Sequence, residues 1–406
     1  MTTTATTPQG PEAAAPDLYG VAELPCPTAE EMAELDRAAR ERWGVPEAVL
    51  MEAAGRAVAQ VVATLFPRGR VVAAVGSGHN GGDALVAART LHAWGRDVQV
   101  LEVVANGAAD ALRHGWSLPV RRAQDARAAF EWADVIVDGI LGTGARGAPR
   151  APHAAVIEAM NAAGRPVVAV DGPSGIDFTT GAVPGPCVRA AVTVALGYPK
   201  RGCLLMPGRA YCGRLLVAEI GFPPPSTVSA QVLTPGWATT RLPPRPPDAH
   251  KGSAGYLLVV AGSTGMAGAA ALCARAALRA GAGLVRIASD APNREILQSL
   301  VPEAVFVDAG DVAAVKEALE GADALVVGPG LGRGTASRAR LALALERSVR
   351  KPVLLDADAL NILSERAEEL ERLGAERPVA MTPHPGEASR LTGDTVAEIR
   401  ANPLSA

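Results

Sequence analysis

Short valine-rich runs alternate along this chain with stretches of helical periodicity, and this alternation limits the possible folds more than any other feature. Residues 71–75, 98–104, 135–137, 167–170, 192–196 and 215–217 are brief and mostly apolar, the pattern of strands covered on both faces. Helical stretches lie between and before them. Thr28 and Glu31 have the spacing of a capping box, and Leu35 and Ala39 follow on one face. A second helix is predicted from Pro46, with Leu50, Ala54, Ala57, Val58, Val61 and Leu65 recurring at the 3.6 period and Gly69 as its stop. The fold class predicted is α/β, with a mostly parallel, doubly wound sheet.

The same alternation returns at 256–260, 284–287, 324–327, 353–355 and 379–381. Between the two blocks prolines crowd residues 222–249, which argues against regular helix and against central strands there. The expected organisation is a disordered tail over 1–17, a first domain over 18–222, a Pro-rich junction over 223–249 and a second domain over 250–406. The tail has neither a basic start nor an apolar core, so it does not read as a signal peptide. The longest small-residue candidate for a membrane span, residues 265–285, is interrupted by Arg275 and Arg279, and a soluble, cytoplasmic protein is expected. With 39 bases against 42 acids, a net charge of −3, no global positive field exists for nucleic acid or an anionic membrane, and neither is an expected partner. The five cysteines are odd in number and form no C-x-x-C pair, so buried free thiols are expected.

Chemistry-bearing residues collect where predicted strands end. The run 71–75 leads into Gly76-Ser77-Gly78-His79-Asn80-Gly81-Gly82-Asp83 and then a helix, an arrangement that presents backbone N–H groups and a helix N-terminus to an anion. Gly76, Gly78 and Gly81 satisfy G-x-G-x-x-G, and Glu102 ends the next strand where a ribose-binding acid would sit, so a nicotinamide dehydrogenase is one reading. Asp83 counts against it, because an acid at a phosphate-binding turn repels a diphosphate. Asn80 as a neutral oxygen ligand, with Asp83 capping the helix or accepting ligand hydroxyls, suits a site that also holds a cation. Two further loops should reach the same sheet edge. Asp138 leaves one strand ahead of Gly142-Thr143-Gly144-Ala145-Arg146-Gly147, with Arg146 as a charged clamp, and Asp171 leaves another ahead of the rigid Pro173-Ser174-Gly175 turn.

Together Leu50-Met51-Glu52-Ala53-Ala54-Gly55, Asn80-Gly81-Gly82-Asp83, Asp138 with Leu141-Gly142-Thr143-Gly144, and Asp171-Gly172-Pro173-Ser174-Gly175 resemble the NAD(P)H-hydrate epimerase domain. The resemblance implies a Rossmann-like fold and a damaged cofactor as substrate, NADH or NADPH hydrated at C6 of the nicotinamide ring, whose R and S forms are interconverted. It implies that Asn80, Asp138 and Ser174 hold a potassium ion (K+). His79, Asn80, Gly81, Gly82 and Asp83, together with the loop from Gly142 to Gly147, would bind substrate, and Asp171 would be the catalytic acid/base. Two positions depart from the family pattern: His79 and Ala53 each stand where an Asn is usual. His79 reads as a loop side chain stacking near the ligand; Lys200 could reach a phosphate or the hydroxyl, but as a lone lysine it reads as a surface residue.

Past the junction, His250-Lys251-Gly252-Ser253, Ala261-Gly262-Ser263-Thr264-Gly265, Gly328-Pro329-Gly330-Leu331-Gly332, Asp356-Ala357-Asp358-Ala359-Leu360-Asn361 and Thr382-Pro383-His384-Pro385-Gly386-Glu387 resemble the ADP/ATP-dependent NAD(P)H-hydrate dehydratase domain, of ribokinase-like fold. By that resemblance Ala269, Gly330 and His384 line the hydrate pocket, and ADP or ATP with Mg2+ is the cofactor. The family's Lys-Gly phosphate loop and its Gly-Ser-Gly-Asp turn do not occur in this sequence, and Thr392-Gly393-Asp394 reads as a loop. An incomplete ribokinase-like domain with an exposed apolar edge and weakened dehydration is therefore expected, since phosphoryl transfer relies on such an anion hole. The expected small-molecule partner is NAD(P)H hydrate, with a homo-oligomer left open. A non-catalytic scaffold of the same fold is the remaining alternative.

Overall fold

A computed structural model describes residues 24–104, 112, 114–222 and 228–404. The predicted tail, residues 1–17, lies outside the described residues. The chain divides between Leu242 and Pro243 into two compact units.

In the first unit α1 (Ala29–Glu41) begins at the predicted capping box: Thr28 Oγ1 accepts from Glu31 N and Glu31 Oε2 accepts from Thr28 N. The helix α2 (Glu47–Leu65) follows, ending before Phe66; Gly69 instead occupies the turn into the sheet, with φ +97°. Its 19 residues are apolar enough to cross a membrane by length and composition, but Ala54, Val58, Ala59 and Val62 are buried in the core against the sheet. The strands are β1 (Leu24–Pro25), β2 (Val71–Val75), β3 (Val98–Glu102), β4 (Val120–Arg122), β5 (Val135–Gly139), β6 (Val167–Val170), β7 (Val192–Leu196), β8 (Arg214–Ala218) and β9 (Gln231–Val232), and the helices that follow α2 are α3 (His79–Ala93), α4 (Ala126–Trp132), α5 (His153–Ala162) and α6 (Pro235–Arg241). Seven strands form one parallel sheet in the order β4-β3-β2-β5-β6-β7-β8.

Side chains alternate across this sheet at period two. Val71, Ala73 and Val75 join Val58, Leu85 and Leu91 of α2 and α3 on one face, whereas Val72 and Ala74 join Phe130, Ile157 and Met160 of α4 and α5 on the other. Both faces are therefore dry, which is why these runs read as unbroken apolar segments. From β2 the chain steps to β3 on one side and later to β5 on the other, so a crevice opens between the C-terminal ends of β2 and β5, where open α/β sheets take their ligands.

Some elements differ from expectation. The edge strand β4 is exposed throughout and contains two arginines, so it lacks the apolar signature. Strands β1 and β9 pair antiparallel, Leu24 opposite Val232. The Pro-rich stretch does hold a helix, α6. Thr234 caps it, Pro235 takes a first-turn position where its missing N–H costs nothing, and no other proline falls within it.

The second unit is a parallel six-stranded sheet in the order β12-β11-β10-β13-β14-β15. Its strands are β10 (Tyr256–Val260), β11 (Leu284–Ser289), β12 (Val305–Asp308), β13 (Ala324–Val327), β14 (Val353–Leu355) and β15 (Val379–Met381). The helices α7 (Ala267–Ala280), α8 (Arg294–Leu300), α9 (Val312–Gly321), α10 (Thr335–Arg347), α11 (Asp358–Leu363), α12 (Ala367–Glu376), α13 (Pro385–Thr392) and α14 (Val396–Ala401) are interleaved with them. The order again turns at β10, with β11 on one side and β13 on the other. At the β15 edge Met381 is 47% exposed. Gly393 closes α13 in the left-handed region, so Thr392-Gly393-Asp394 is a helix end and loop.

Candidate active site

A cavity of about 740 Å³ lies in the first unit at the β2–β5 crevice, walled by α1, α2, the start of α3 and the loops after β5, β6 and β7. The β2–α3 turn is tight because its glycines leave no space. A Cβ on Gly76 would overlap the carbonyl of Ile140, and one on Gly81 would overlap the carbonyl of Gly76. Gly78 occupies the N-cap of α3 and no side chain caps the helix, so its first N–H groups face the turn.

Three of the residues singled out from sequence meet around the backbone of one residue, Leu141. Asn80 Nδ2 donates to Leu141 O at 3.0 Å, Leu141 N donates to Ser174 Oγ at 2.9 Å, and Ser174 Oγ donates to Asp138 Oδ1 at 2.6 Å. Asp138 also accepts from Ser174 N at 2.8 Å and Ile140 N at 3.2 Å. It is fully buried, and burial pushes its carboxyl up to about 6, with the Ser174 hydroxyl and the Ser174 and Ile140 amides pulling the other way. Among the described residues no cationic side chain pairs with this carboxylate, and the surrounding donors are oxygens of a hydroxyl, a carboxamide and a peptide. That set fits a hard monovalent ion, and among the described residues no cluster of His, Cys, Asp and Glu suits a transition metal.

Next to this group lies a buried ion pair. Lys200 was expected at the surface, yet it is 1% exposed; its Nζ binds Asp171 Oδ1 and donates to Leu196 O at 2.9 Å. Leu196 N donates to the same Oδ1 at 3.0 Å, leaving Asp171 Oδ2 with no hydrogen-bond partner among the described residues. The backbone of Asp171 is left-handed, with φ +66°, a conformation a non-glycine residue holds only where its surroundings impose it. The β6–β7 register, Val170 opposite Val194, sets Asp171 beside Leu196.

The other predicted residues divide. Gly142, Thr143, Gly144, Ala145 and Arg146 line the cavity, and Gly147 follows with φ +71°. Arg146 donates to Thr143 O at 2.8 Å and pairs with Glu30 Oε1 of α1 at 2.6 Å, while Thr179 Oγ1 donates to Glu30 Oε2 at 3.1 Å. His79 does not stand in a loop: it opens α3 and its Nε2 lies 3.1 Å from Glu47 Oε1. Asp83 does not cap the helix, since Gly78 holds that position; it is buried and lines the cavity. Glu102 does not reach the cavity either, because it is 3% exposed and ion-paired with Arg122 on the neighbouring strand. The surface position preferred for Lys200 does not hold, and the α1–α2 wall of the cavity, including Asp36, Arg40 and Glu47, has no counterpart among the residues singled out from sequence. The clue to Lys200 was its position just past the end of a buried strand in a chain with few lysines.

In the second unit Ala269 lies in the first turn of α7 after β10, Gly330 follows β13 and His384 follows β15, all at the C-terminal edge of the sheet. Gly330 has φ +61°, and a Cβ there would come within 3.0 Å of Ala269 Cβ. Its carbonyl accepts from Ser263 N at 2.6 Å. His384 is engaged in its own turn: Nδ1 accepts from Gly386 N at 3.0 Å and Nε2 lies 3.1 Å from Glu387 Oε1.

Comparison with known proteins places the chain. Residues 47–202 match the family described as YjeF-related protein N-terminus, and residues 257–404 match the NAD(P)H-hydrate dehydratase family. The bifunctional NAD(P)H-hydrate repair enzyme of Thermofilum pendens is 37% identical over 399 residues, covering 93% of this chain and 76% of that one. The chain belongs to the bifunctional NAD(P)H-hydrate repair enzyme family. Its Moorella thermoacetica member is 39% identical over 410 residues, with the same coverage of 93% and 76%. The solved ADP/ATP-dependent NAD(P)H-hydrate dehydratase of Bacillus subtilis, co-crystallised with ATP and Mg2+, is 31% identical over 41% of this chain and 57% of that one, with a TM-score of 0.33. The chain thus carries both domains of the repair family. These matches support neither a dehydrogenase nor a scaffold, and they give no support to the expectation of weakened dehydration.

Proposed function

We propose that the first unit interconverts the R and S forms of NADH or NADPH hydrated at C6, with Asp171 as its acid/base residue. The buried Lys200–Asp171 pair beside the cavity carries this reading. C6 of the hydrate is a hemiaminal carbon, and its inversion needs a proton moved at oxygen, for which a carboxylate suffices. Lys200 and the Leu196 N–H grip Oδ1 and orient the carboxylate, so that Oδ2 serves the substrate hydroxyl. The unsatisfied N–H groups at the start of α3 and the loop from Gly142 to Gly147 suit the pyrophosphate, with Arg146 exchanging Glu30 for a phosphate oxygen.

Asn80, Asp138 and Ser174 would hold a potassium ion, with Leu141 O beside them. When bound, that ion supplies positive charge that fixes the three loops and draws oxygen ligands of the substrate. For the second unit the proposed reaction is dehydration of the S hydrate back to NAD(P)H, driven by ADP or ATP with Mg2+, in a pocket lined by Ala269, Gly330 and His384. The first unit then feeds the second by converting the R form.

The deciding experiment follows separated R and S hydrates by chromatography, with purified protein in potassium or sodium buffer. Interconversion well above the uncatalysed rate and faster in potassium is expected. Rates equal to buffer alone would remove the epimerase reading.

A further inference from the structure

The cavity contains a carboxyl group to which the mechanism above gives no chemical task. Asp83 is the fifth residue of α3 and borders the same cavity as Asp171 and Lys200. It is 9% exposed, and its side chain has no hydrogen-bond or ion-pair partner among the described residues. A buried polar group without a partner is costly, so one that borders a cavity is placed for what the cavity receives. Helix capping does not account for it, because Gly78 occupies the N-cap.

Its neighbours determine its form. Asp171 from the end of β6, Asp36 from α1 and Glu47 from α2 all oppose a further negative charge, and Lys200 alone favours one. Burial is the strongest influence, and with the charge of Asp171 it holds the Asp83 carboxyl well above the ordinary range. Asp171 meanwhile is paired with an ammonium group. Two carboxyl groups on one cavity, one buried without a partner and the other held by an ammonium group, are an arrangement that acid–base chemistry uses.

We propose that Asp83 is the second catalytic residue of this site, the proton donor that works opposite Asp171 as acceptor. This rests on the epimerase reading of the first unit. Asp171 takes the proton of the C6 hydroxyl. The C6–O bond becomes a carbonyl as the C6–N1 bond breaks, its electron pair passes to N1, and N1 takes the proton of Asp83. The open-chain aldehyde then turns its other face to the nitrogen. N1 attacks the carbonyl carbon and returns its proton to Asp83, while the oxygen recovers its proton from Asp171. No atom or electron is gained or lost, and both carboxyl groups finish as they began, ready for the next turnover.

Asp83→Asn tests this, since it keeps the shape and a neutral donor but has no proton to transfer. With the full chain and separated hydrates, kcat should fall by about 10²–10⁴-fold while KM changes by less than about threefold. The alkaline limb of the kcat–pH profile should disappear and the acidic limb should persist. Asp83→Glu, which retains a proton, should recover part of the rate. A kcat for Asp83→Asn within about threefold of wild type, or an unaltered alkaline limb, overturns the proposal. If Asp83→Asn does not fold, as judged by circular dichroism, Asp83→Glu decides: a displaced alkaline limb supports the proposal and an unmoved one overturns it. Absence of any epimerisation by the wild-type protein in potassium would instead overturn the epimerase reading.

Discussion

Lys200 reaches Asp171 from within the protein, with the ammonium group enclosed by the end of β7 and only 1% of the lysine exposed. Removing one member of a buried pair strands the other, which costs about 3–5 kcal/mol. Lys200→Met should therefore lower the urea midpoint and abolish epimerisation together. The double variant Lys200→Met/Asp171→Asn should regain stability but not activity. A single variant as stable as wild type would mean the pair is not desolvated.

Asp171→Ala should eliminate epimerisation while leaving NADP+ binding within a few-fold of wild type, because Lys200 remains beside the cavity. Calorimetric titration alongside the rate assay separates the two effects. Equal loss of binding and rate would assign Asp171 to substrate binding and not to proton transfer.

Asp138 links potassium to pH. Burial pushes its carboxyl up to about 6 from an ordinary 3.8, so between these values the folded protein holds a proton that the unfolded chain has released. The stability from this group is full below the unfolded value and is lost as pH rises through about 6, amounting to roughly 3 kcal/mol. A potassium ion beside the carboxylate offsets that loss. The rise in Tm on adding potassium should accordingly be larger at pH 8 than at pH 5, and Asp138→Asn should abolish the difference. Equal gains at both pH values would exclude Asp138 from the cation site.

Gly76→Ala should prevent folding of the first unit, since its new methyl group would overlap a backbone carbonyl that cannot give way. Gly78→Ala meets nothing nearby and should be tolerated in stability. Thermal melts of the two variants provide the comparison, and equal Tm values would contradict the close approach of the β2–α3 turn to Ile140.

Central strands were legible because both faces are covered: β2, β6, β7, β10, β13 and β14 run as the apolar segments suggest. Edge strand β4 was not, since Val120, Arg121 and Arg122 are all exposed. Asn80, Asp138 and Ser174 come from separate crossovers, and sequence order after parallel strands was enough to bring them together around Leu141. Lys200 could not be read the same way. Tyr198-Pro199-Lys200-Arg201 says nothing locally about burial, which follows from the partner that the β6–β7 register supplies. Glu102 misled for the complementary reason: its spacing suited a ribose, but its cross-strand neighbour Arg122 claims it.

The helix α1 forms part of the cavity wall, yet the tie from its Glu30 to Arg146 lies near solvent, with both side chains more than half exposed. An ion pair in that setting is worth at most about 1 kcal/mol and weakens with added salt. That tie can therefore open at little cost while Ala29, Met32, Leu35 and Ala39 keep the helix buried along its inner face. An anionic ligand drawn to Arg146 would compete with Glu30 for the guanidinium, and ionic strength would then govern how readily the exchange occurs.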